Sequence, residues 1–171
     1  ILAGAAELDH CSGLGPFLGG SLAGRRILPA DNWWNLDVSQ APVAQTSDAV
    51  IDFIGRGTAL HPDFGTDFGI PYAVVGGRQA KIPMTFTYDD ESDHGAAGLP
   101  AGYPIPDQAK TIAGFVEGGV PGGGTRGDRH VLLVDRDHWL LFETYATRWT
   151  GTAWTGGSGA IFDLTRNDRR P

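Results

Sequence analysis

One cysteine, Cys11, stands among the 171 residues, so an internal disulfide and a cysteine-based zinc site are both excluded within this sequence. Cys11 reads as an incidental thiol. The alternative, a lipid-anchor cysteine, is favoured by Leu8 three residues before it and opposed by Asp9 and His10, where small uncharged residues are the rule. Long apolar runs are also missing. None approaches the roughly 20 residues needed to span a membrane, and the opening ILAGAA is too short for a signal peptide, although it could be the remnant of one. Basic residues are few: 13 Lys and Arg face 20 Asp and Glu, for a net charge of −7. A phosphate backbone is repelled by that balance, and the pairs Arg25-Arg26 and Arg169-Arg170 form no stripe, which excludes nucleic acid as the expected partner. There is no Gly-x-Ser-x-Gly elbow.

Glycine and proline are abundant. The 26 Gly and 11 Pro are dispersed among apolar runs, and both are unfavourable inside helices. Short strands joined by frequent turns follow. The expected fold is mainly β, an antiparallel β-sandwich or barrel-like sheet with one short helix. Residues 1–26 read as a loosely structured lead-in and 27–171 as a single β-rich domain.

TSDAVIDFIGRG predicts the helix. Thr46 or Ser47 would cap it, Asp48 sits in its first turn, and Gly55 or Gly57 ends it. Ala49, Val50, Phe53 and Ile54 share a face, so the helix is expected to pack on a sheet. IPYAVVGGRQAKIPMTFTY reads as a hairpin around Gly76-Gly77. GGVPGGGTRGD reads as a mobile loop; its GGGTRG satisfies the letter of GxGxxG but leads into a strand, so no helix N-terminus awaits a pyrophosphate. Arg148 to Trp154 suggests a small hairpin around Gly151, and Ala160 to Leu164 a last strand.

The clearest strand pair is HVLLVDRDHWLLFETY. With a turn centred on Arg136-Asp137, Val134 would oppose Trp139, Leu132 would oppose Leu141, His130 would oppose Glu143 and Asp128 would oppose Tyr145. Side chains alternate along strands, so all of these share one face, apolar near the turn and polar at the far end. A histidine held by a carboxylate can move a proton near neutral pH. The expected catalytic set is therefore His130 and Glu143 as acid–base pair, Asp128 orienting, and Tyr145 assisting. No cofactor is expected, with a divalent metal on the same His and carboxylates as the alternative. The plainer alternative is a satisfied cross-strand pair at a sheet margin.

Two acidic groups have ordinary explanations. Asp89, Asp90, Glu91, Asp93 and His94 lack EF-hand spacing and read as a solvated loop, with calcium or a second catalytic carboxylate as the alternative. His61, Asp63 and Asp67 with Phe64 and Phe68 read as a turn-rich loop with its rings in the core. Among the tryptophans, Trp33, Trp34 and Trp139 are expected to stack on sugar, with Trp149 and Trp154 as further candidates.

The ordered motifs LPADNWWN, LHPDFG, GIPYAVV, YPIP, GDRHVLLVDRD and GSGAIFDL resemble those of a family of secreted, β-rich bacterial and fungal proteins. The resemblance runs from about Leu28 to the C-terminus. It implies an extracellular location and a longer protein of which this chain is a C-terminally shortened version, and it supplies no reaction. The acidic stretch and the segment before YPIP depart from the family pattern. The function expected is a secreted polysaccharide-active enzyme, a glycoside hydrolase or lyase, acting on a polysaccharide or oligosaccharide. The alternatives are a non-catalytic carbohydrate-binding or structural surface domain and a small His/carboxylate metalloprotein.

Overall fold

The computed structural model describes residues 15–59, 69–168 and Arg170; Cys11 and the HPDFGTDF group of His61, Asp63, Phe64, Asp67 and Phe68 lie outside them. Eight strands and one α-helix are found among the described residues: β1 Phe17–Leu18, α1 Ser47–Ile54, β2 Tyr72–Val75, β3 Met84–Phe86, β4 Val131–Asp135, β5 Leu140–Tyr145, β6 Arg148–Trp149, β7 Trp154–Gly156 and β8 Ser158–Asp163. The mainly β expectation holds. Five strands form one sheet in the order β1-β2-β4-β5-β8 and three form another in the order β3-β7-β6. Both sheets are mixed, since β2 runs parallel to β4 and β3 parallel to β7 while the other pairs are antiparallel.

The hairpin expected around Gly76-Gly77 does not form. Tyr72–Val75 pairs with β1 and β4, and Met84–Phe86 leaves for the other sheet to pair with β7. Each run is apolar enough to be buried, and burial against distant strands outweighs the local turn. The lead-in expected over residues 1–26 is organised from Phe17 onward. Phe17 pairs with Val74, and Leu22 packs with Ile27 and Leu28 on the outer face of the larger sheet.

Alternation divides the large sheet into two faces. Ala73, Val75, Val131, Leu133 and Phe142 enter a core shared with Met84, Phe86, Tyr103, Ile105, Phe115, Val116 and Trp154. Tyr103 lies edge-on to Phe86 and Phe142, with centroids 5.5 and 5.7 Å away, and its hydroxyl donates to the Asp93 carbonyl at 2.7 Å. Glycine at 159 is required here, because a Cβ would stand 2.3 Å from that hydroxyl oxygen. Among the described residues, the opposite face is buried near the β4–β5 turn, by Val134, Trp139 and Leu164 with Leu22, Ile27, Leu28, Tyr72, Leu141 and Phe162.

Helix α1 begins and ends where the sequence predicts, with Thr46 preceding it and Gly55 following at φ 98°. It does not pack on a sheet. It has no buried residue, and Val50, Ile51, Ile54 and above all Phe53 stay exposed. The glycine-rich loop is more packed than expected. Gly122 and Gly123 are buried, and a Cβ on Gly123, which has φ 93°, would stand 2.2 Å from the Thr147 carbonyl oxygen.

The β4–β5 turn is fastened by a buried carboxylate. Asp135, with 0% of its side chain exposed, accepts through Oδ1 from the N–H groups of Asp137 and His138, both at 3.2 Å. Through Oδ2 it meets Lys81 Nζ at 3.2 Å and His138 Nδ1 at 2.9 Å. Lys81 is itself only 4% exposed and lies over the Phe142 ring. Burial alone pushes the Asp135 pKa up; the bonds from His138 and Lys81 outweigh it and hold the group below its ordinary 3.8.

Asp135→Asn should lower unfolding free energy by about 3–5 kcal/mol in denaturant titrations, because it strands the Lys81 charge in the interior. The depressed pKa fixes the pH dependence. The carboxylate's contribution is complete above its ordinary 3.8 and is lost as pH falls through the lower folded-state value. Asp135→Asn should therefore remove part of the acid sensitivity of stability between about pH 5 and pH 2.

Candidate functional site

The register of β4 and β5 differs from the expected one by two residues. Val134 opposes Leu141 rather than Trp139, and Leu132 rather than His130 opposes Glu143. The cause lies in the turn. A two-residue turn at Arg136-Asp137 is replaced by a loop from Arg136 to Trp139, closed by the Asp135 and Leu140 pair. The Asp135 side chain satisfies the loop N–H groups, and Trp139 adopts φ 55°, a left-handed conformation uncommon outside glycine.

A shift of two keeps the parity of the strand. His130, Glu143 and Tyr145 remain on the face that also carries Leu132 and Leu141. His130 now lies against Tyr145, with ring centroids 5.5 Å apart at 43°, and Glu143 is its diagonal neighbour. Asp128 is not brought to His130. Its backbone carbonyl accepts from Ala146 N–H at 2.7 Å, and its residue is exposed.

The carboxylate that holds His130 is Glu117, a residue the sequence reading did not single out. Glu117 Oε2 stands 2.6 Å from His130 Nδ1 and accepts the His130 backbone N–H at 3.1 Å. The Glu117 N–H in turn donates to the His130 carbonyl at 2.9 Å. These contacts fix the imidazole plane and commit Nδ1, while Nε2 has no partner among the described residues. No periodicity could have revealed Glu117, because it reaches His130 from a loop. The only local signal was an acid shortly before the glycine-rich stretch.

Glu143 is half-buried on β5 between Leu132 of β4 and Ala160 of β8. Burial pushes its pKa above the ordinary 4.5, while the charges of His130 and Arg170 pull the other way. Arg170 is held by Asp93, Nε to Oδ2 at 2.8 Å, and donates through Nη2 to the Glu91 carbonyl at 2.8 Å. Asp93 also accepts the Ile161 N–H at 2.8 Å. The acidic loop thus contributes to the site indirectly, by placing a cation near Glu143. The remainder of that loop is solvated: Asp89 and His94 are exposed partners at 3.1 Å. Among the described residues no three of His, Cys, Asp and Glu converge in a way that could hold a metal ion.

The tryptophans divide sharply. Trp33 and Trp34 are 70% and 71% exposed and stacked with centroids 4.7 Å apart. Asparagines present them: Asn32 accepts the Trp34 N–H at 2.9 Å and donates to Asn167 at 2.8 Å, and Asn35 Nδ2 donates to the carbonyls of Ile27, Leu28 and Pro29. Trp139 is no platform. It is buried in the second core cluster, with the Arg25 guanidinium 3.7 Å over its ring. Trp154 is buried, and Trp149 lies beneath Lys110 Nζ at 4.3 Å.

Arg170→Gln should raise the Glu143 midpoint further in a carboxyl-carbon NMR titration, because a cation that favours ionisation is removed; an unmoved midpoint would show that the Arg170 charge does not reach Glu143. The raised pKa also implies that folded stability falls as pH rises from the ordinary 4.5 through the folded-state value, and Glu143→Gln should flatten that part of the stability profile.

No family model, no curated protein and no solved structure matches this chain, so function is argued from the site alone.

Proposed function

We propose that the protein is a secreted polysaccharide-active enzyme, a hydrolase or lyase, whose acid–base chemistry is performed by His130 and Glu143 on the uncovered end of a sandwich-like pair of sheets. The observation that carries this reading is the environment of the two groups. A carboxyl whose pKa is raised by burial stands on the same sheet face as an imidazole whose Nδ1 is fixed by Glu117. A carboxyl that favours its protonated form and an imidazole with one ring nitrogen committed offer a donor and an acceptor, which proton transfer in both directions requires. Glu143, favouring its protonated form more than a free carboxyl does, suits the proton donor. His130 suits the base through Nε2, with Glu117 as its positioning residue and Tyr145 flanking the ring. Asp128 has no part in the set.

A second reading, a non-catalytic carbohydrate-binding domain, is favoured by the exposed Trp33–Trp34 pair. Stacked, rigidly presented indoles offer an apolar surface to a sugar face at little entropic cost.

On any glycan that the protein cleaves, His130→Ala and Glu143→Gln should each lower kcat by about 10²–10⁴-fold. Glu117→Gln should lower kcat by less and leave KM unchanged. Trp33→Ala and Trp34→Ala should raise KM for polymers without altering kcat. Unchanged turnover in both His130→Ala and Glu143→Gln sinks the catalytic assignment. Retained glycan binding with no turnover by the wild type favours the binding domain.

A further inference from the structure

The smaller sheet turns Met84, Phe86 and Trp154 into the core. Alternation places Thr85, Thr155 and Arg148 on its other side, and the register sets them in one row: Thr85 opposes Thr155, and Thr155 opposes Arg148. With Thr87 and Arg129 they line an open cleft of about 350 Å³, within the size range of small-ligand sites.

The charge of this cleft is unlike that of the molecule. The chain carries −7 overall, yet the lining holds two guanidinium groups and no carboxylate. Among the described residues neither Arg129 nor Arg148 is in an ion pair. Arg129 donates through Nη1 to the Gly127 carbonyl, but its Nε is buried with no acceptor. Strain points to the same place. Arg129 and Ala146, which both line the cleft, have φ 54° and 51°, left-handed values that non-glycine residues hold mainly where function over-determines them.

We propose that this cleft binds an oxyanion, a carboxylate or sulfate group, through Arg129 and Arg148, with the threonine hydroxyls donating alongside. A guanidinium presents its N–H groups in a fork that fits two oxygens of such a group. The cleft adjoins the acid–base face: Gly157 lines it, and its N–H donates to the Tyr145 carbonyl at 2.7 Å. Resting on the catalytic reading above, the substrate class is therefore an acidic glycan. The anion site itself does not depend on that reading.

The test is calorimetric titration of the intact chain, at low salt, with an oligogalacturonate, a sulfated oligosaccharide and a neutral malto-oligosaccharide. At least one anionic ligand should bind, weakening as sodium chloride is added, and the neutral one should not. Whichever anion binds more tightly identifies the oxyanion. Arg148→Gln, at an exposed position, and Arg129→Gln should each weaken binding about tenfold or more, with Arg148→Lys recovering part of the loss. Failure of both anions to bind, equal binding of the neutral ligand, or wild-type affinity in both arginine variants overturns the proposal. The two readings fail separately. Glu143→Gln should keep anion binding, and anion binding without turnover of any glycan by the wild type overturns the catalytic reading while leaving the cleft.

Discussion

Everything on the candidate face depends on one carboxylate at the end of β4. Asp135 is fully buried, and its two oxygens answer four donors from three directions: two N–H groups of the turn, the His138 ring and the Lys81 ammonium. The turn cannot tighten to two residues without releasing those N–H groups. The strands are therefore held at Asp135 and Leu140, Trp139 is tucked into the outer cluster, and the register follows along the pair until His130 meets Tyr145. Because Lys81 belongs to the connection between β2 and β3, the same carboxylate also ties the segment between the two sheets to the hairpin. An uncompensated charge in that place would cost more than the pair contributes, which makes the arrangement all-or-none.

The large sheet is covered unevenly. Its inner face is closed by a continuous core, whereas among the described residues its outer face is buried near the turn and half-buried four residues up the strand, about 13 Å away. That gradient is what leaves Glu143 half-buried rather than buried or free. It is dry enough to favour the neutral form and close enough to His130 and Arg170 for their charges to oppose that tendency. The raised pKa of Glu143 thus comes from partial burial on this face.

Much of this was legible in the sequence, and the rest was not for identifiable reasons. Periodicity and end signals located α1 to within a residue or two and marked the strands around VLLVD and LLFETY, because alternation and helix ends are local properties. The register differs by two because Asp135, bonding the N–H groups of Asp137 and His138, and a left-handed Trp139 set a four-residue loop in place of a two-residue turn. The run PYAVV and the run PMTF looked like a hairpin since adjacency is the default for strands; their partners, β4 and β7, lie far along the chain. Glu117 was invisible because its bond to His130 spans a loop. Trp139 was misassigned to the surface since composition cannot say which side of a turn an indole will take. Asp93 was read with its acidic neighbours, but Arg170 and Ile161 claim it.

The parallel contact of β2 with β4 has a kinetic meaning as well. β4, β5 and β8 follow one another closely and can pair soon after they are synthesised, but β2 precedes β4 by a long crossover that includes β3. Closing such a loop before any pairing reward is slow. During synthesis the apolar strand Tyr72–Val75 therefore waits with, among the described residues, the two of β1 beside it. An unpaired strand edge of this kind is prone to mispairing with another copy until β4 arrives.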